Sequence, residues 1–385
     1  MNKLALVKRI MADFSERTCL KKEGCIPVRY LWTDAFAVCN FLGLFLETGE
    51  IDYKKDALLL VDQVHHILGK HRRDDPRDGW ISGLNDEEGE KHPTIGGLRI
   101  GKKSNARKKE DPIDEKLEWE QDGQYFHYLT KWMHALNLVT IVTGDLKYNL
   151  WAIELAKTAY DKFTYTVYGN TKRMYWKMCI DLSYPLVTSM GQHDALDGYI
   201  TYLEVIKTAF EENTFHLDNQ MESLFHIAQT MKLESSDPLA IGGLLNNASL
   251  LTQHIVEYKM IHLSDMLLML LHASLKGVDA FADSNTLEYP AGYRLAFREL
   301  GFSIGLHGVK KMQTVIKKHP EDFTNHPLLE VKLDDLAAHF PLCDSIENFW
   351  INPQNQKSNS WCEHLDINSV MLATALHSES FLCIG

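Results

Sequence analysis

Apolar positions along the chain recur with a helical period, and the segments that carry them are of two kinds. In residues 33–47 apolar side chains lie almost all round the helix: Ala35, Phe36, Val38, Phe41, Leu42, Leu44, Phe45 and Leu46. A helix apolar on every side is a buried one. In residues 54–68 a single stripe is apolar (Ala57, Leu60, Val61, Val64, Ile67, Leu68), while Lys55, Asp62, Gln63 and His66 fall elsewhere. That helix keeps one wet face. The two kinds alternate. Residues 122–142, 174–189, 238–256, 289–312 and 363–378 read as buried helices, and 3–15, 150–163, 194–210, 263–281 and 328–340 as amphipathic ones. Pro185 is expected to kink the helix over 174–189. A smaller helix at 219–231 reads as an insertion, and no stretch alternates long enough for a strand of useful length.

Connection lengths alternate as well. Two tight turns are near copies, Thr48-Gly49-Glu50-Ile51-Asp52-Tyr53 and Thr143-Gly144-Asp145-Leu146-Lys147-Tyr148. Each follows a buried helix and opens an amphipathic one. The connections before buried helices are mostly longer: 19–31, 71–121, 164–173, 232–237, 282–288 and 341–362. Helical pairs with tight turns on one side and long loops on the other predict an all-α fold, an (α/α)6 toroid of six hairpins. The expectation is one domain over residues 1–385, with the N-terminal helix closing the ring against the C-terminal one. Long loops in compact domains usually carry function. They collect at the N-terminal ends of the buried helices, so that face is where a site is expected.

Composition narrows the class. The apolar fraction of 45% and charged fraction of 24% are those of a soluble globular chain. A formal net charge of −12 disfavours a nucleic-acid partner. The seven cysteines include no CxxC pair and read as reduced thiols of a cytoplasmic protein. The apolar run near the N-terminus is too short for a signal peptide, and none is long enough to cross a bilayer. No membrane partner is expected, and a homo-oligomer is left open.

The start of the first buried helix, Trp32-Thr33-Asp34, followed by the Thr-Gly-Glu/Asp-x-x-Tyr hairpin turn, resembles the six-hairpin (α/α)6 glycosidase superfamily. The resemblance extends to the related barrel of the N-acylglucosamine 2-epimerase type. It covers nearly the whole chain as architecture but only one Trp-Asp pair and two turns as motif. It implies carbohydrate chemistry at the N-terminal ends of the inner helices.

Three constellations lie at that end. The first is Arg29-Tyr30-Leu31-Trp32-Thr33-Asp34. The second is Trp119 to Tyr128, with Asp122, Tyr125 and His127. The third is Ser360 to Asp366, with Trp361, Glu363 and His364. Paired carboxylates suit acid and base work on a glycosidic bond, and their separation decides retaining from inverting chemistry. Asp34, Asp122 and Glu363 are therefore the candidate acids and bases, with His127 and His364 as further proton carriers. The competing explanation for each acid is a helix cap. Trp32, Tyr125, Tyr175, Trp176, Tyr293 and Trp361 offer flat surfaces for a sugar. Arg29, Arg99, Arg294 and His92 offer groups for a carboxylate or phosphate. Arg298 and Glu299 are expected to pair structurally. Asp194 and Asp197 are assigned to the opposite, tight-turn face as caps of an outer helix.

No GxSxG, HExxH, Rossmann or P-loop sequence occurs. Cys362 with His364 lacks the second pair that zinc needs. No cofactor and no metal are expected. The reading is a hydrolase of a small anionic glycoside. The alternatives are a sugar isomerase or epimerase using His127 and His364, and a non-catalytic helical scaffold.

Overall fold

The computed structural model describes residues 2–22, 24–112, 114–209 and 216–384. They divide into two compact units, Ser15–Met231 and Met1–Phe14 with Lys232–Ile384. Helix α1 (Lys3–Arg17) opens the chain.

In the Ser15–Met231 unit, α2 (Leu31–Thr48) pairs with α3 (Ile51–Leu68). The long connection that follows carries two short helices, α4 (Asp86–Lys91) and α5 (Glu115–Glu120). Strand β1 (Gln124–Tyr125) leads into α6 (Phe126–Thr143), which pairs with α7 (Lys147–Phe163). Strands β2 (Thr164–Thr166), β3 (Lys172–Met174), β4 (Lys177–Met178) and β5 (Pro185–Val187) come next, then α8 (Asp194–Thr208) and α9 (Asp218–Gln229). Helix α6 packs against both α2 and α8, so these three form the inner row.

The two copied turns match down to individual hydrogen bonds. Gly49 and Gly144 have φ of 73° and 74°, a left-handed conformation that glycine adopts without strain. Their N–H groups donate to Phe45 and Thr140. The Thr48 and Thr143 hydroxyls donate back one turn at 2.7 Å and accept from Glu50 and Asp145.

Residues 174–189 correct the sequence reading. They form no helix. β4 pairs antiparallel with β1 on one side and β5 on the other, in the order β1-β4-β5. The rigid ring of Pro185, taken above as a kink, instead opens an edge strand. The third buried helix is α8, of which all but the last three residues are buried, and α9 is its outer partner rather than an insertion. The sequence reading was therefore displaced by one element here and recovers at the next pair. Phe210, placed on the face of this helix, lies outside the described residues.

Three acid–base contacts run down the α6–α8 interface, two of them close pairs at 2.7 and 2.9 Å and the outermost at 3.6 Å. His127, Lys131 and His134 on α6 meet Asp194, Asp197 and Glu204 on α8. In the innermost pair, burial alone would lower the His134 pKa. The Glu204 carboxylate 2.9 Å away outweighs it and holds the ring near pKa 10. A folded pKa above the unfolded value gives stability that is complete below about 6.5 and lost as pH rises through about 10. The His134 ring resonances, followed by NMR, are expected to stay those of an imidazolium through neutral pH. In Glu204→Gln the pKa is expected to fall, because Glu204 is the largest of the causes that raise it. An unmoved His134 titration in that variant would refute the pairing.

In the second unit, α10 (Pro238–Glu257) pairs with α11 (Ser264–Ala282), and α12 (Ala296–Lys318) with α13 (Leu328–Ala337). Then come α14 (Pro341–Ile351), the single turn α15 (Asn359–Cys362), α16 (Leu365–Leu376) and the short α17 (Glu379–Leu382). The sequence reading left α14 inside a connection. Here α12 packs on both α10 and α16. The α10–α12 contact is unusually close. A Cβ on Gly242 would stand 2.1 Å from the Gly301 carbonyl oxygen, so only glycine fits. The Lys3 ammonium of α1 bonds the buried Glu347 at 2.9 Å, and Ser303 and His307 of α12 bond the same carboxylate.

Cys19 and Cys25 are joined as a disulfide, with Cα atoms 5.8 Å apart. The expectation of seven reduced thiols is corrected at this pair, whose spacing within a short loop carries no sequence motif. Cys39, Cys179, Cys343, Cys362 and Cys383 are free. Thiol titration of the unfolded, unreduced chain is expected to count five groups, rising to seven after reduction. Seven before reduction would refute the bridge. Among the described residues no helix is long and apolar enough to cross a membrane.

Candidate active site

The N-terminal ends of α2, α6 and α8 lie together, and each brings side chains to one place. The β1-β4-β5 sheet sets the next layer. Because the Phe126 N–H donates to the Trp176 carbonyl at 3.1 Å, Tyr125 and Trp176 are held side by side. Their rings stack at 5.1 Å, and Tyr125 stacks in turn on His127 at 5.5 Å with the planes 12° apart. Trp32 of α2 meets the His127 ring edge-on at 6.0 Å and Tyr128 at 5.2 Å. The hydroxyls of Tyr30 and Tyr128 are 2.9 Å apart. The Lys102 ammonium lies 5.3 Å above the Tyr30 ring.

His127 faces Asp194. Its Nδ1 stands 3.6 Å from Asp194 Oδ1, longer than a hydrogen bond, with the imidazole about one-third exposed. Asp194 is 5% exposed, yet its Oδ2 has no hydrogen-bond partner among the described residues. Trp32 Nε1 and the Tyr125 hydroxyl are likewise buried without a partner. Burial pushes the Tyr125 phenol up, so it stays a donor. An unmade hydrogen bond at a buried polar atom costs about 1–3 kcal/mol, and three such atoms lie around His127. Gly191 fits against Asp194, where a Cβ would stand 2.3 Å from Oδ2.

The neighbouring acids are committed to the fold. Asp197 holds the Lys131 ammonium at 2.7 Å and the Thr130 hydroxyl at 2.7 Å. Asp34 accepts the Tyr30 N–H at 2.9 Å, tying down the start of α2, and faces Arg29 at 3.5 Å. Asp122 is fully buried and accepts from Arg99 at 3.0 Å, Arg72 at 3.2 Å and the N–H groups of Gly101 and Gly123.

The expected anion-binding groups also have internal partners. Arg29 donates to the Thr18 carbonyl at 2.6 Å, and Arg99 to those of Ile67 and Lys70. His92 pairs with Glu154 at 2.6 Å, and Tyr175 stacks on Tyr165.

In the other unit, Arg294 forms a two-pronged pair with Glu299, which also accepts from Trp350. Arg298 goes to Asp237 instead of pairing with Glu299. Trp361 is buried against Trp350. Tyr293 is 82% exposed. Glu363 and His364 are exposed in the break between α15 and α16, with His364 edge-on to Phe297. Among the described residues His319, Glu321 and Asp322 place metal-ligand atoms within 4.8 Å, but Asp322 already pairs with Lys259 at 2.8 Å.

Asp194 is the residue that sequence reasoning misplaced. Its α8 begins at the same end as α2 and α6, not at the tight-turn end. The available signal was the i, i+4, i+7 spacing of His127, Lys131 and His134, which matches three acids on the next buried helix.

No protein-family profile and no curated protein matches the chain. Solved structures do. A GH76 alpha-mannanase of Bacteroides thetaiotaomicron superposes with a TM-score of 0.55 at 10% identity, covering 98% of this chain and 96% of its own. The GH76A alpha-1,6-mannanase of Salegentibacter sp. HEL1_6 superposes at 0.51, also at 10% identity, with full coverage of both chains. That structure is an inactive variant, with two adjacent aspartates replaced by asparagine, in complex with alpha-1,6-mannotriose. These neighbours are members of the six-hairpin (α/α)6 glycosidase superfamily, and the likeness shows the fold: all-α, of the (α/α)6 toroid class.

Proposed function

We propose that this chain is a carbohydrate-active enzyme whose proton transfers run through Asp194 and His127. The observation that carries the reading is the buried Asp194 oxygen that no donor meets, set among aromatic rings at the N-terminal ends of three inner helices. A sugar supplies hydroxyls for the part-exposed His127 imidazole and the carboxylate beside it, and an apolar ring face for the part-exposed Trp176. The first reading is hydrolysis of a glycoside. Asp194 is then the carboxylate that activates water or attacks the sugar, and His127 the partner that carries the proton to the leaving group. The fold shared with two mannanases supports it.

The second reading is isomerisation or epimerisation. The part-exposed His127 imidazole, 3.6 Å from Asp194, favours it, since an imidazole is a base suited to a proton beside a carbonyl. Proton NMR in deuterated buffer separates the two, using alpha-1,6-mannotriose and free mannose with wild type and Asp194→Asn. New reducing ends that disappear in the variant support hydrolysis. Deuterium entering mannose without cleavage supports the second reading. Activity surviving intact in Asp194→Asn would sink both.

A further inference from the structure

The stack that begins at His127 does not end at Trp176. Trp119, on α5, continues it, with ring centroids 5.8 Å apart and planes tilted by 41°. The order is His127, Tyr125, Trp176, Trp119, and Trp119 at the outer end stands 60% exposed.

The helix beneath it is anchored far more firmly than its own sequence allows. A six-residue segment, Glu-Lys-Leu-Glu-Trp-Glu, cannot hold a helix by itself. Here the Glu118 carboxylate is buried and accepts from Arg107 at 2.6 Å and Lys177 at 3.2 Å. The Lys177 ammonium, with no exposure, also donates to the carbonyls of Glu118 and Gln121. Asp114 caps the first turn through the N–H groups of Lys116 and Leu117. Three buried charges thus fix the backbone on either side of one exposed indole. Such a cluster is costly to bury and adds little to stability compared with apolar packing. Its effect is to hold Trp119 in one position before any ligand arrives, which lowers the ordering cost of binding.

We infer that Trp119 is the outer sugar platform of this site, and that the substrate is an oligosaccharide with its reacting unit at Asp194 and its further units extending to Trp119. The inference rests on the carbohydrate reading of the Asp194 site. A single sugar ring cannot reach both ends of the stack, so Trp119 sets preference for chain length rather than the chemistry.

The test is a microarray of linear glycans, one to six units long, in mannose, glucose, galactose and xylose series. It is read with the full-length wild type, Trp119→Ala and Trp119→Phe, each checked for folding by circular dichroism. Wild type is expected to bind longer glycans better. Trp119→Ala is expected to lose about tenfold on those, which is about 1.4 kcal/mol, and Trp119→Phe to keep most of the binding. Equal binding of short and long glycans by wild type, or wild-type length preference in Trp119→Ala, overturns the inference. It leaves the Asp194 reading to its own NMR test. Binding to no glycan of any series by wild type overturns both.

Discussion

Asp194→Asn is expected to lower turnover by about a hundred- to ten-thousand-fold, the usual range for loss of a positioned acid or base, while the protein stays folded. The second half of that statement gives it force. Asp194 Oδ2 is buried without a donor, so replacing the carboxylate with a neutral amide removes a desolvated charge rather than a satisfied one. Against this stands the favourable field at the first turn of α8, worth about 0.3–1 kcal/mol. The two terms oppose, and the melting temperature is expected to move by only a degree or two in either direction. Asp197→Asn, three residues on, provides the contrast. Its carboxylate is bonded to Lys131 and Thr130, so the same substitution leaves a buried ammonium short of its partner and destabilises the fold. Activity assays and thermal melts on the two variants separate a site residue from a scaffold residue of the same type on the same helix. A large loss of stability in Asp194→Asn would assign it to the scaffold instead.

The helices were legible because burial imposes a period. Residues 33–47 and 54–68 announce α2 and α3 through nothing but the spacing of their apolar positions, and the Thr-Gly turns between such pairs fix a left-handed glycine. Residues 174–189 were not legible, because their order comes from pairing with a segment about fifty residues earlier. The Lys177–Tyr125 register is a non-local fact, and a strand of two or three residues leaves no alternation to read. That single failure moved α8 from the inner row to the outer one and removed Asp194 from consideration. Tyr125, His127, Trp32 and Trp176 read as candidates because aromatic side chains near the starts of buried helices are conspicuous, and their rings do lie together. Their partner was hidden behind an element boundary. The acids chosen instead, Asp34 and Asp122, do lie at helix starts in this unit, and their hydrogen bonds explain why such positions attract acids in any helical protein.

Asp122 shows how far that structural role extends. Asp122→Ala is expected to cost about 3–5 kcal/mol, the range for breaking a buried ion pair from one side. Two guanidinium groups and two backbone N–H groups converge on this fully buried carboxylate. Removing it leaves the Arg99 guanidinium without a carboxylate and Arg72 with Asp74 alone, and neither can deprotonate to escape. At roughly 2–4 °C per kcal/mol for a unit of this size, the melting temperature should fall by roughly 10 °C. The loss should also be local. Asp122 holds Gly101, whose neighbour Ile100 accepts the Leu31 N–H at the start of α2 and donates to the Gly123 carbonyl. Gly101 itself is at φ 95°, close enough to the Arg29 carbonyl that a Cβ would stand 2.3 Å away. Asp122 therefore ties the end of the 71–121 connection to the two helices that carry Trp32 and His127. In Asp122→Ala, limited proteolysis is expected to cut first within that connection, and activity is expected to fall below what the melt alone explains, because α2 and α6 lose their common tether. A melt within 2 °C of wild type, or cleavage that begins elsewhere, would show that the tether is not what holds this face together.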